Sequence, residues 1–127
     1  MELTSTHLRY LLAIFRLSRT RPAVSSVDVA GALQVSRPSV TRMLGILTEK
    51  DLVTKERYGK IALTDRGAAL ARRQMEYVRL LVLRLPALGL DLTEREAEEA
   101  ALALAEILPG RCREQLQNDS VRPLENA

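Results

Sequence analysis

Tryptophan is absent from this 127-residue chain, phenylalanine occurs once and tyrosine three times. A core with so little aromatic bulk has to be assembled from Leu, Ala, Val and Ile. That composition favours helices, and a small aliphatic core favours further burial in a dimer. Cysteine occurs once, at Cys112, so no internal disulfide can form, and with His7 as the lone histidine no CxxC pair or Cys/His cluster exists. No apolar run approaches the ~20 residues of a membrane span. The chain opens acidic at Glu2 and has no basic region before its first apolar run, so no secretory leader is expected and the cytoplasm is the expected location. A GxSxG elbow, a phosphate-binding glycine loop and an acid pair in a recognisable setting are also missing. Nothing here builds a nucleophile or a general base, so an enzyme is not expected.

What is present is charge, unevenly placed. The net charge is +3. Residues 1–80 hold 14 Lys/Arg against 7 Asp/Glu, or +7, and residues 81–127 hold 5 against 9, or −4. A basic front half joined to an acidic rear half suggests a polyanion-facing module attached to one that avoids polyanions.

Hydrophobic periodicity predicts a first helix over 4–19, with Leu8, Leu11, Leu12 and Phe15 on one face and Thr4 or Thr6 at its start. A second, over 25–33, turns Val27, Ala30 and Leu33 inward. A third, over 37–49, has Ser36 as N-cap, Pro38 in the first turn and an apolar face of Val40, Met43, Leu44 and Leu47. Residues 52–56 and 60–64 read as two short strands around a turn at Gly59. Thr64 or Asp65 begins a long helix to about residue 85, and Thr93 with Glu96 opens another through a capping box. A short helix over 111–117 closes the pattern. The fold class is therefore mainly α with a small β-hairpin: a winged helix-turn-helix over 1–64, a linker helix and helical dimerisation region over 65–118, and a flexible tail over 119–127.

In a winged helix-turn-helix the start of the third helix enters the major groove of double-stranded DNA. The candidate reading residues are Ser36, Arg37, Pro38, Ser39, Thr41 and Arg42. Arginine bridges guanine O6 and N7, serine and threonine meet bases or phosphates, and Pro38 offers an apolar contact. Arg57, Tyr58 and Lys60 fall at the wing tip, where cations meet phosphate or the minor groove. Lys55, Arg66, Arg72 and Arg73 extend the basic surface.

The segments "YLLAIFRLS", "VDVAGALQVSRPSVTRMLGILTEKDLV" and "YGKIALTDRG" resemble the iron- and manganese-dependent repressors of the DtxR/MntR family, in their shorter two-domain type. The hallmark segment reads Val35-Ser36-Arg37-Pro38-Ser39-Val40-Thr41. The resemblance covers roughly residues 6–117, strongly over the DNA-binding half and weakly over the last third. It implies a homodimer on a palindromic operator, joined through helices that include Ala97, Ala100, Ala101, Leu104 and Leu108. It also implies a switching divalent metal. Yet the positions matching the family's ligands are Arg9, Leu12, Val78, Leu102, Ala105 and Glu106, and of these only Glu106 could coordinate an ion. The expectation is therefore a degenerate metal site, no cofactor, and a metal-independent DNA-binding regulator, most simply a repressor. The alternatives are a winged-helix regulator controlled by a small molecule in an apolar pocket, one retaining a non-standard metal site, and a winged helix used for protein–protein contact. Against the last stand Arg37, Arg42, Arg57 and Lys60.

Overall fold

The computed structural model describes residues 3–119. The element order is α1 (Ser5–Ser18), α2 (Ser26–Leu33), α3 (Arg37–Glu49), β1 (Val53–Lys55), β2 (Ile61–Leu63), α4 (Asp65–Arg84), α5 (Glu94–Ile107) and α6 (Arg111–Asp119). The chain forms two compact units, Met1–Arg73 and Gln74–Ala127, with α4 beginning in the first and continuing in the second. From residue 120 onward the expected tail lies outside the described residues. No described helix is long and apolar enough to cross a membrane.

The first unit is shaped by its helix ends. Thr4 caps α1: its hydroxyl accepts the His7 N–H at 3.2 Å, and His7 Nδ1 accepts the Thr4 N–H at 3.1 Å. Ser25 and Asp28 repeat the same reciprocal cap on α2. These pairs satisfy amide donors that a helix start otherwise leaves unmade. The inward face of α2 is Val29 and Ala30, with Leu33 partly buried. Val27, expected inward, is 54% exposed. The helix is phased on the fully buried Val29, and a residue two positions away lies about 200° round the axis.

Gln34 then takes the left-handed conformation, φ 56°, and the Val35 N–H bonds back to the Ala30 carbonyl at 3.1 Å. That closes α2 and lets Ser36 open α3 after a very short connection. Val40, Leu44 and Leu47 bury the inner side of α3, joined by Met43 at the core's edge. They meet Tyr10, Leu11 and Ile14 of α1, Leu52 of the turn after α3, and Val53 and Ile61 of the hairpin in a single core.

The strands pair antiparallel, with Val53 opposite Leu63, Thr54 opposite Ala62 and Lys55 opposite Ile61. They are shorter than the expected 52–56 and 60–64. Leu52 belongs to the turn leaving α3, and Arg57–Gly59 forms a tight helical turn at the tip. Val24 adds a bridge to the hairpin, its carbonyl accepting the Ile61 N–H at 2.8 Å. Thr64 caps α4, accepting the Gly67 N–H at 3.0 Å and donating to the Asp51 carbonyl at 2.8 Å.

In the second unit, Tyr77, Val78, Leu80, Leu81 and Leu85 are buried, as are Ala101 and Ala105 of α5. Gly89, at φ 78°, ends the turn after α4. Thr93 and Glu96 form the expected capping box at the start of α5. Helix α6 runs two residues beyond the expected 117.

Candidate nucleic-acid interface

The start of α3 carries the candidate reading face. Ser36 Oγ accepts the Ser39 N–H at 3.2 Å and lies 2.8 Å from Ser39 Oγ, so these two hydroxyls hold the helix end as a pair. Pro38 sits in the first turn, where a missing N–H leaves no bond unmade. Arg37, Pro38, Thr41 and Arg42 are exposed, and Ser39 is half-buried. They stand opposite the buried Val40, Leu44 and Leu47, so one short helix anchors itself with one side and offers two guanidinium groups with the other. Among the described residues neither Arg37 nor Arg42 has an acidic partner. Their charge is free for an external anion.

The wing tip is built from Arg57, Tyr58, Gly59 and Lys60. The Glu56 N–H donates to the Lys60 carbonyl at 2.6 Å, which closes the turn. Tyr58 is 97% exposed and holds a left-handed backbone, φ 63° and ψ 26°. Gly59 follows at φ 75°, as expected of a turn glycine. A left-handed tyrosine costs roughly 1–2 kcal/mol, and nothing among the described residues covers its ring.

The outlying cations divide. Lys55 and Arg73 are exposed. Arg66 Nη1 donates to the Lys50 carbonyl at 3.1 Å and so ties α4 to the end of α3. Arg72 lies 5.8 Å from the centre of the Phe15 ring, and Arg19 lies 5.7 Å from it. The sequence did not point to a cleft of about 380 Å³ beneath the wing, lined by Phe15, Arg21, Val24, Glu56, Lys60 and Arg72 among others. No local pattern marks it, because its walls come from α1, the segment before α2, the hairpin and α4.

Of the positions that the resemblance is expected to match with metal ligands, only Glu106 carries a donor for a divalent cation. Arg9 Nη2 donates to the Leu33 carbonyl at 3.1 Å, closing the exposed end of α2. Leu12, Val78 and Ala105 are buried, and Leu102 and Glu106 are half-buried. Among the described residues no three His, Cys, Asp or Glu side chains gather into a site that could hold a metal ion. His7 is engaged as a helix cap, and burial, then the nearby Lys50 charge, holds its imidazole below the usual value of 6.5. Hydrocarbon and a guanidinium cannot replace the water shell of a divalent cation, so these positions do not fit the metal.

Fold and surface together define a winged helix-turn-helix protein. Residues 2–61 match the family model of the iron dependent repressor N-terminal DNA binding domain. The HTH-type transcriptional regulator MntR of Shouchella clausii is 32% identical over 82 residues, covering 65% of this chain and 57% of that protein. The manganese regulator SloR superposes with a TM-score of 0.72 at 28% identity, over 97% of this chain and 56% of its own. The apo form of the manganese-activated repressor ScaR gives 0.70 at 28%, over 91% and 54%. A hypothetical protein from Sulfolobus solfataricus shares the fold over 95% of this chain and 92% of its own, with a TM-score of 0.68 at 23% identity. Over its winged-helix half, this chain is similar to the DtxR/MntR type of regulator. It spans somewhat more than half the length of MntR and SloR.

Proposed function

We propose that the chain is a sequence-specific DNA-binding transcription regulator, acting as a cytoplasmic homodimeric repressor on a palindromic site and working without the divalent metal. The winged helix over 1–64 reads the DNA, and residues 65–118 supply the linker helix and the dimerisation region. The observation that carries this reading is the exposed, unpaired Arg37 and Arg42 on the outer face of α3, beside a wing bearing Arg57, Tyr58 and Lys60. Metal independence rests on the donor chemistry at Arg9, Leu12, Val78, Leu102, Ala105 and Glu106. In the relatives named for manganese, the ion's role is theirs. Here a buried leucine, valine and alanine stand at the matching positions.

The test is selection of genomic fragments bound by the purified protein, followed by titration of the selected site with chelator present and with manganese, iron or zinc added. Affinity should be the same in all arms. Stoichiometric metal uptake with tighter operator binding would show that the chain keeps its relatives' switch. Arg42→Ala should weaken the selected site by ~1–3 kcal/mol while leaving random DNA nearly unaffected. Lys60→Ala should weaken both alike and lower the slope of log affinity against log salt by about 1. Parental binding by both variants would refute this assignment of the face.

A further inference from the structure

The cleft beneath the wing lies wholly within the first unit, and no residue of α3 lines it. Its floor is apolar. Val24 is buried, Phe15 and Leu63 are half-buried, and the Val24 carbonyl accepts the Ile61 N–H at 2.8 Å, so the backbone there is already paired. Its rim is charged and open to solvent: Arg21, Glu56, Lys60 and Arg72 line it and all four are exposed. Two of the cations are held in place. Arg21 Nη1 lies 3.2 Å from Asp28 Oδ1, and the Arg72 guanidinium carbon stands over the Phe15 ring, 5.8 Å from its centre. The volume of about 380 Å³ falls in the range of roughly 300–1,000 Å³ usual for small-molecule sites.

We infer that this cleft is the binding site for an amphipathic carboxylate, an acid with a short alkyl tail. The rim selects the sign of the headgroup. Arg21, Lys60 and Arg72 outnumber Glu56, and they still outnumber the acids when Asp28, the partner of Arg21, is counted. Arg72 is the cation that selects a carboxylate. Its planar guanidinium meets two coplanar oxygens through parallel hydrogen bonds, and it stands where the rim meets the apolar floor. Arg21 is already engaged by Asp28. The floor selects the tail: Phe15, Val24 and Leu63 offer nothing to a bare inorganic ion and gain by covering an alkyl chain. The Glu56 N–H and the Lys60 carbonyl close the wing turn at 2.6 Å, so the occupant lies against the root of the wing.

The test is an NMR titration of the ¹⁵N-labelled full chain with butanoate, hexanoate and octanoate, at ionic strength held with chloride. 1-Hexanol supplies a tail without the charge, and inorganic phosphate supplies an anion without the tail. The carboxylates should shift the amides of Ala23, Ala62 and Ala68, which line the cleft, along a saturating curve. Affinity should rise about two- to fourfold per added methylene. Arg72→Gln should weaken hexanoate about threefold and leave 1-hexanol unchanged, because only the headgroup loses its partner. Arg72 is exposed, and an unchanged thermal midpoint of the variant separates loss of ligand from loss of fold. The site is overturned by shifts confined to the second unit, by affinity independent of tail length, by phosphate binding as tightly as hexanoate, or by parental hexanoate affinity in Arg72→Gln. DNA takes no part in the titration, so failure here and failure of the regulator assignment are separate results.

Discussion

His7 puts a titratable group in charge of a helix end. Its neutral Nδ1 accepts the Thr4 N–H, and protonation converts that acceptor into a donor. Its folded value lies below 6.5, through burial and then Lys50. The neutral ring is thus the form the fold favours. The contribution of the cap is present above the unfolded value and is lost as pH falls through the folded one. His7→Gln preserves a capping-box acceptor that does not titrate. Thermal midpoints measured between about pH 5 and 8 should fall more steeply toward acid in the parent than in His7→Gln; equal slopes would remove His7 from the pH response. At this scale the sequence was readable wherever cause and effect are neighbours. Thr4, Ser36 with Pro38, and Thr93 with Glu96 act on amides within three residues. Arg9 and Arg66 were not readable in the same way. They bond to carbonyls 24 and 16 residues away, and no spacing rule announces such a pairing.

Among the elements, α4 is pinned most tightly at its first turn. A Cβ on Gly67 would stand 2.0 Å from the Leu52 carbonyl oxygen, which already accepts the Thr64 N–H at 3.1 Å. That oxygen is backbone at the junction of α3 and β1, so it cannot swing aside as a side-chain tip would. Gly67→Ala should therefore lower stability by about 2–3 kcal/mol, at the upper end for overpacking, measured by urea unfolding. A loss below 0.5 kcal/mol, the ordinary scatter of surface changes, would mean that α4 slides freely against the hairpin. The six helices of the described residues were legible from 3.6-residue periodicity and their caps. The strand limits and the outward placing of Val27 on α2 were not. Both depend on where α2, the hairpin and α1 come to rest against one another: Val29 sets the phase of α2, and Val24 joins the sheet from outside the hairpin.

For the whole molecule, the proposed homodimer has a physical candidate in the second unit. Leu83, Leu88, Leu90 and Ile107 are all more than half exposed, with Ile107 at 78%. Scattered apolar residues are ordinary on a surface, but a unit whose buried side chains include Ala101 and Ala105 gains from a second copy. Ile107→Glu should weaken self-association at least tenfold, or about 1.4 kcal/mol, by sedimentation equilibrium, and should lower affinity for a two-half-site operator in parallel. A variant that associates like the parent would place any dimer contact elsewhere. The charge asymmetry between the halves was visible in composition alone, because charge requires no fold to be counted. The stacking of the Arg113 guanidinium on the Tyr77 ring was invisible at that level, since the two are 36 residues apart and only packing brings them together.

The exposed wing tip has one more consequence, and it comes from the missing tryptophan. Of three tyrosines, Tyr10 and Tyr77 are buried at 4% and 2% exposure, and Tyr58 stands almost wholly in solvent. Reagents that iodinate or nitrate phenols thus meet a single accessible target, at the very tip of the hairpin. The chain carries its own addressable label there, and occupancy of the wing by a partner can be followed chemically without an introduced fluorophore.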